Sequence, residues 1–224
     1  MVTKIVSLSG FIFISFLIFT FLSIQGCTTS RNRSIKNWEK YEWKIIKESE
    51  NIKMGWKIYK RKIKGANFLE YKIKGEIHAS PKTCIETFNE DLYEQALDHK
   101  KYPIYQISHE SEDSILTYLV HKEPFPFKNT EMSVRYVIDI LEDNAASKVW
   151  KEAWEDCPKQ PSKKLKRIDT FRGSWYFLQI NDSKTIGVKS VSFDPKGMPR
   201  LLVEPMVFKF LQEGLEDIRK SSSN

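Results

Sequence analysis

"GSWYFLQINDSKTIGVKSVSFDPKGMPRLLVE", residues 173–204, holds two extended segments, a turn and the opening of a helix in one run. The first segment belongs to LKRIDTFRGSWYFLQIN (165–181) and the second is KTIGVKSVSFD (184–194). Their aromatic and β-branched residues read as strands. Asn181-Asp182-Ser183 between them supplies turn residues. After Gly197-Met198-Pro199, Leu201, Phe208, Leu211, Leu215 and Ile218 recur at close to helical spacing, a broad apolar face. Pro205 inside that run is expected to kink the helix or restart it one turn in. A long amphipathic helix at the end of the chain needs an apolar surface to lie on, and the upstream sequence supplies one.

From Pro103 onward the chain reads as continuous antiparallel sheet, with strands IYQISHES (104–111), SILTYLVHK (114–122), EMSVRYVIDIL (131–141) and SKVWKEAWE (147–155) ahead of the two already named. Glu112-Asp113 and Glu142-Asp143-Asn144 mark the turns. Further upstream, WKIYK (56–60) and FLEYKIKGEIHA (68–79) read as two more strands. Ser80-Pro81 starts a helix, because Ser accepts from first-turn amides and Pro loses nothing at the first helical position. Ile85, Phe88 and Leu92 form its buried stripe, to about Leu97. NWEKYEWKIIKES (37–49), with Trp38, Tyr41 and Ile45 on one face, predicts another helix. There is no repeat and no interdomain linker. The order predicts one α+β domain, a curved antiparallel sheet wrapped around the long C-terminal helix.

The N-terminus is different. Lys4 is the only charge in the first 26 residues, and FIFISFLIFTFL (11–22) is almost wholly apolar. A basic start, an apolar run and small residues at its end describe a secretory signal, although the run is also long enough to span a bilayer uncleaved. LSIQGC (22–27) resembles the lipobox of bacterial lipoprotein precursors, with Ile24 and Gly26 at the aliphatic and small positions before Cys27. That resemblance implies diacylglycerol on the Cys27 sulfur, cleavage before it, and acylation of the new amino terminus by a chain such as palmitate. It divides the chain into a signal peptide (1–26), a tether (27–36) and a folded domain (37–220), lipid-anchored in the cell envelope. Thr28 stands where many inner-membrane lipoproteins carry aspartate, a lean towards the outer membrane that leaves the periplasmic and outer-membrane faces both open. An uncleaved helical anchor and an incidental thiol are the competing readings.

Composition narrows the function. The net charge of +7 is spread over dispersed groups (Lys57, Lys60, Arg61, Lys62, Lys64; Lys163, Lys164, Lys166, Arg167) interleaved with acids. This reads as a solvated face with some attraction for anionic lipid, not as a nucleic-acid surface. Aromatics at 13% are enough to line an interior pocket as well as fill a core. With Cys27 acylated, Cys84 and Cys157 read as two independent thiols in preference to a disulfide. His78, His99, His109 and His121 are scattered, and no nucleophile elbow, phosphate-cradling loop or metal spacing occurs. No catalytic residue, metal ligand or cofactor is predicted.

Four stretches together carry a resemblance. EPFPFKNTEMSVRY (123–136), the run 173–204, GWKIYKRKI (55–63) and ASPKTCIETFNED (79–91) resemble, in the right order, segments of START domains, the StAR-related lipid-transfer family. The resemblance covers about residues 38 to 220. The chain departs from the family at Thr130-Glu131 and at Glu204. What the resemblance implies is a helix-grip fold with a tunnel for a lipid, sterol or other hydrophobic molecule, the C-terminal helix and a neighbouring loop acting as lid. The candidate lining is Tyr118 (with Val120), or Thr117, Leu119 and His121 on that strand's other face. Val134 and Tyr136 follow, with Met132 and Ile138 in phase, then Trp175 and Phe177, and from the last helix Phe208, Leu211 and Leu215. Arg135 is expected to point outward. Ordinary core packing is the competing role for each of these. Three functions fit: a membrane-tethered monomer that binds or shuttles a hydrophobic ligand, an envelope lipoprotein using the fold as a protein-interaction scaffold, or a polyketide-cyclase-like enzyme.

Overall fold

The computed structural model describes residues 41–51, 55–157 and 162–221. The signal peptide, Cys27 and the tether lie outside the described residues, as do residues 37–40. Two units are distinguished. Ile63–Ala66, a turn closed by the Ala66 N–H donating to the Ile63 carbonyl at 3.2 Å, belongs to one of them. Residues 41–62 and those from Asn67 onward belong to the other, which holds the sheet and both helices.

Ten strands build the sheet: β1 Lys44–Glu48, β2 Trp56–Lys62, β3 Leu69–Ile77, β4 Ile104–Glu110, β5 Ser114–His121, β6 Thr130–Leu141, β7 Ala145–Glu152, β8 Lys166–Arg167, β9 Phe171–Asn181 and β10 Lys184–Phe193. Helix α1, Pro81–Gln95, follows β3, and helix α2, Arg200–Ser221, closes the chain. The strand order is β1-β2-β3-β10-β9-β7-β6-β5-β4, every neighbouring pair antiparallel, with β8 paired parallel to the start of β6. Joining β3 to β10 requires the last hairpin to return beside the first, so the opening quoted run forms the middle of the sheet. This is the expected curved sheet around a C-terminal helix.

Local chemistry explains the boundaries. Ser80 caps α1 by accepting from the Thr83 N–H at 3.1 Å, and Pro81 occupies its first turn. At the β9–β10 turn the Ser183 N–H donates to Asn181 Oδ1 at 3.1 Å, a side chain replacing a backbone acceptor. Cys84, Ile85, Phe88 and Leu92 of α1 are buried, as are Val203, Val207, Leu211, Leu215 and Ile218 of α2. Both helices cover the same face of the sheet, α1 over β7 and β9, α2 over β3 and β10, and they touch each other.

Four expectations change. Residues 44–48 form an edge strand and not part of a helix: Lys44 and Ile45 pair with Lys60 and Tyr59 before a bulge, because main-chain pairing on the β2 edge outweighs a weak helical periodicity. The segment 165–181 is two strands, broken at Ile168–Thr170, where the Ile168 N–H donates to the Glu131 carbonyl and Asp169 pairs with Lys196. Leu201 is 84% exposed, so the apolar face of α2 starts at Val203. Finally, α2 runs unbroken through Pro205. The amide missing at Pro205 would have served the carbonyl of Leu201, in the exposed first turn of the helix.

Candidate ligand site on the concave face

Register places the inward side chains in rows across the sheet. One row reads Ile58, Ile73, Lys189, Trp175, Lys148 and Ile138, from β2 through β3, β10, β9 and β7 to β6. The next reads Tyr71, Val191, Gly173, Trp150, Tyr136 and Ile115. Gly173 is required there, since a β-carbon would overlap the Trp150 ring and the Ser190 carbonyl. Phe88 of α1 lies 6.0 Å from the rings of both Tyr136 and Trp150. Trp175 stacks on Phe177 with centroids 5.0 Å apart.

Of the residues predicted from sequence, Val134, Tyr136, Trp175 and Phe177 share this face and are buried, and Leu211 and Leu215 cover them from α2. Phe208 is half-buried, edge-on to Tyr71 at 6.1 Å. Tyr118 is a correction. Thr117 lies opposite Val134, so Thr117, Leu119 and His121 face the helices, whereas Tyr118 and Val120 face away. The Tyr118 hydroxyl donates to Oε2 of buried Glu131 at 3.0 Å, and Arg167 Nε donates to its Oε1 at 3.2 Å. Arg167 in turn lies over the Trp154 ring at 3.7 Å. That cluster is a second, small core on the outer face, beneath β8 and the segment that follows β7. Arg135, also on the outer face, pairs with Asp156 at 3.1 Å, as its outward expectation requires.

Helix α2 is pinned at both ends. Near its start, Glu204 accepts from the Tyr71 hydroxyl and from Lys60, each at 3.0 Å. Burial and the Glu204 charge both push the Tyr71 phenol up. Near its end, Arg219 donates to the carbonyls of Glu76 and Gly55 at 2.9 and 3.2 Å.

Sequence reasoning missed two lysines. Lys148 and Lys189 point inward and are 1% and 4% exposed. Lys148 Nζ donates to Asn89 Oδ1 of α1. Lys189 Nζ lies 3.7 Å from the Phe210 ring centroid and donates to the Phe210 carbonyl at 3.4 Å. Desolvation pulls the Lys189 ammonium down to about 7, opposed by the charges of Asp91 and Asp217. Desolvation, aided by Asp217, pushes the Asp91 carboxyl up to about 7. The signal was available in strand phase, since Lys148 shares a face with Ala146 and Trp150, and Lys189 with Gly187 and Val191. Reading basic residues as solvated hid it.

Two of the cavities lie against the helices. One, about 300 Å³, is formed by Asn89 and Tyr93 of α1, Ser111, Glu112, Ile115 and Lys148. The other is a shallow polar groove of about 610 Å³ along α2, from Lys101 and Lys209 to Lys220. The predicted residues line neither of these: Val134, Tyr136, Trp175, Phe177, Leu211 and Leu215 pack in the core. The indole N–H groups of Trp150 and Trp175 are buried with no acceptor among the described residues.

No family model and no curated protein matches the sequence. Solved structures do match. A STAR-related lipid transfer protein from Xanthomonas axonopodis superposes with a TM-score of 0.65 at 16% identity, over 81% of this chain and 99% of that one. The lipid transfer and protein localization domain of human StarD13 gives 0.63 at 14%, over 89% and 95%. Human StAR-related lipid transfer protein 5 gives 0.61 at 11%, over 93% and 97%. This chain therefore has the START helix-grip fold. At these identities the likeness is one of fold.

Proposed function

We propose that this protein binds or shuttles a lipid or other hydrophobic ligand on the concave face of its sheet, from a lipid anchor at Cys27 in the cell envelope. The observation that carries the reading is the inward aromatic wall under the helices, where Phe88 lies 6.0 Å from the rings of both Tyr136 and Trp150, beside a cavity lined by Asn89, Tyr93, Ser111, Glu112, Ile115 and Lys148. A cavity of about 300 Å³ is at the small end for ligand sites. It suits a single short chain, and a larger ligand requires α1 to shift outward from β7. The names of the START-fold neighbours, which specify lipid transfer, support the same class of ligand.

Protein starting at Ser30 is expected to copurify with an apolar molecule visible by native mass spectrometry. A ligand-free spectrum, with no binding of added short-chain lipids, sinks the reading. For the anchor, Cys27→Ser is expected to abolish processing and release the protein from membranes. A variant that stays processed and membrane-bound rejects lipidation.

A second reading is a scaffold for protein contacts. The filled core beneath α2 and exposed Phe125, Leu201 and Leu202 favour it. The same mass spectrum separates the two.

A further inference from the structure

With Ile58, Ile73, Lys189 and Trp175 turned inward, their neighbours along each strand turn outward, onto the convex face of the sheet. One outward row reads Ile45, Tyr59, Lys72, Ser190, Ser174 and Val149, from β1 through β2, β3, β10 and β9 to β7. The next reads Glu48, Lys57, Lys74, Val188, Tyr176 and Ser147. The flank made by β1, β2 and β3 is therefore basic and aromatic. Trp43, just ahead of β1, takes two cations over its ring, Lys72 Nζ at 4.1 Å and Arg61 Cζ at 4.5 Å from the centroid. Tyr59 lies 5.1 Å from the same Lys72. The acids of this flank are already engaged: Glu48 with Lys57 at 3.3 Å, Glu76 with Lys184 at 2.8 Å, and buried Glu70 with Arg61. Lys72 and Lys74 are left without an ion pair among the described residues. Partial burial and the like charge of Arg61 pull the Lys72 ammonium down, with Glu70 opposing. Towards the middle of the sheet the face turns apolar, where Val188 and Tyr176 are half-buried and Val149 and Leu178 are each 37% exposed.

We propose that this convex face, from Trp43 beside β1 to Tyr176 on β9, is the surface by which the anchored domain lies down on an anionic lipid bilayer. The proposal rests on the membrane-anchored reading and adds an orientation to it. Three observations favour a bilayer as the occupant. Tryptophan and tyrosine beside exposed aliphatic residues suit the headgroup level of a membrane. Lys72 and Lys74 carry charge that anionic headgroups answer. The chain also enters the fold at this flank: β1 is an edge strand, and Tyr41 stands 14 residues (41 − 27) beyond Cys27, at most about 50 Å of extended chain. The two lysines favour an anionic surface by roughly thirtyfold together, which is too little to recruit a free protein. A tethered domain meets the surface at an effective concentration of about millimolar, so the same preference is enough to decide which face turns down. The opposite side has no such excess, since Lys209 and Lys220 alternate there with Glu213, Glu216 and Asp217 along α2. Docked in this way, both helices and the concave face point away from the anchoring bilayer.

The test uses the full chain in nanodiscs, either of phosphatidylcholine alone or of equal parts phosphatidylcholine and phosphatidylglycerol, and follows the acetylation of each lysine by mass spectrometry. Lys57 and Lys74 are expected to react at least about fivefold more slowly in the mixed discs, and to recover when added salt shortens the screening length. Lys128, in the loop of exposed Phe125, and exposed Lys209 of α2 are expected to change less than about twofold. Lys72→Glu combined with Lys74→Glu is expected to abolish the protection of Lys57, and Lys74→Arg to keep it. Slowing at Lys128 or Lys209 in place of Lys57 and Lys74 overturns the proposal, since the domain then stands on that loop or lies on α2. Equal slowing in both kinds of disc also overturns it, because the lysines then play no part. Unchanged rates at every lysine, in chain that stays with the discs, overturn the orientation and spare the anchor. Chain that leaves the discs removes both readings together. The comparison between the two kinds of disc needs no variant to fold.

Discussion

The side chain of Lys189 fills the space over Gly214 of α2: a β-carbon on residue 214 would overlap Lys189 Nζ and come within 3.3 Å of its Cε. This contact is where the helix rests on the middle of the sheet, so a side chain at residue 214 must displace the end of buried Lys189. Gly214→Ala is expected to destabilise the protein by about 1–3 kcal/mol in urea melts, despite the gain in helix propensity of about 1 kcal/mol. In a Lys189→Ala background the same substitution should turn neutral or stabilising. Equal effects in both backgrounds would remove the contact from the account.

Stability should have a shallow minimum near pH 7. Asp91 titrates near 7 in the folded protein against an ordinary 3.8, so the folded state holds the extra proton and stability falls as pH rises through that window. Lys189 titrates near 7 against an ordinary 10.5, so the unfolded state holds the extra proton and stability rises again from pH 7 to 10.5. Each arm has a slope of at most about 1.4 kcal/mol per pH unit, softened for Asp91 by its partial exposure. Asp91→Asn should flatten the acid arm and Lys189→Met the alkaline one, measured as Tm against pH.

Gly173→Ala should cost about 3 kcal/mol or more, because the new methyl group meets the Ser190 carbonyl of the neighbouring strand as well as the Trp150 ring. Trp150→Leu relieves only the second clash. It should therefore fail to rescue Gly173→Ala, and a rescue would show that the ring alone sets the limit.

On the outer face, Arg167→Met leaves the Glu131 carboxylate, at 1% side-chain exposure, with the Tyr118 hydroxyl but no ion-pair partner among the described residues. Removing one member of a buried pair costs about 3–5 kcal/mol. Glu131→Gln in the same chain should restore most of it. A loss under about 1 kcal/mol in the single variant would mean that water reaches Glu131.

How much of this was legible follows from what each signal measures. The α1 boundary was legible because Ser80 and Pro81 act within one turn of themselves. The last hairpin was legible because its turn residues bond locally. Lys44–Glu48 was not, because an edge strand is made by its neighbour, and the pairing of Ile45 with Tyr59 has no trace in the local pattern. Tyr118 illustrates a different limit. Its strand is buried on both faces, so alternation carries no polarity, and only pairing with β6 decides that Thr117 looks in and Tyr118 looks out.

By itself the sequence determined the order of most elements from β2 onward, the start of α1 at Ser80-Pro81, and most of the apolar stripes of α1 and α2, because these depend on interactions a few residues apart. Only the tertiary structure decided that β3 lies beside β10, that the predicted aromatic wall is packed against itself, and that Lys148 and Lys189 sit inside with a tryptophan between them. The physical reason is that β-pairing joins residues more than a hundred positions apart, as in Ile73 with Lys189, and the register of that pairing fixes which face each side chain occupies.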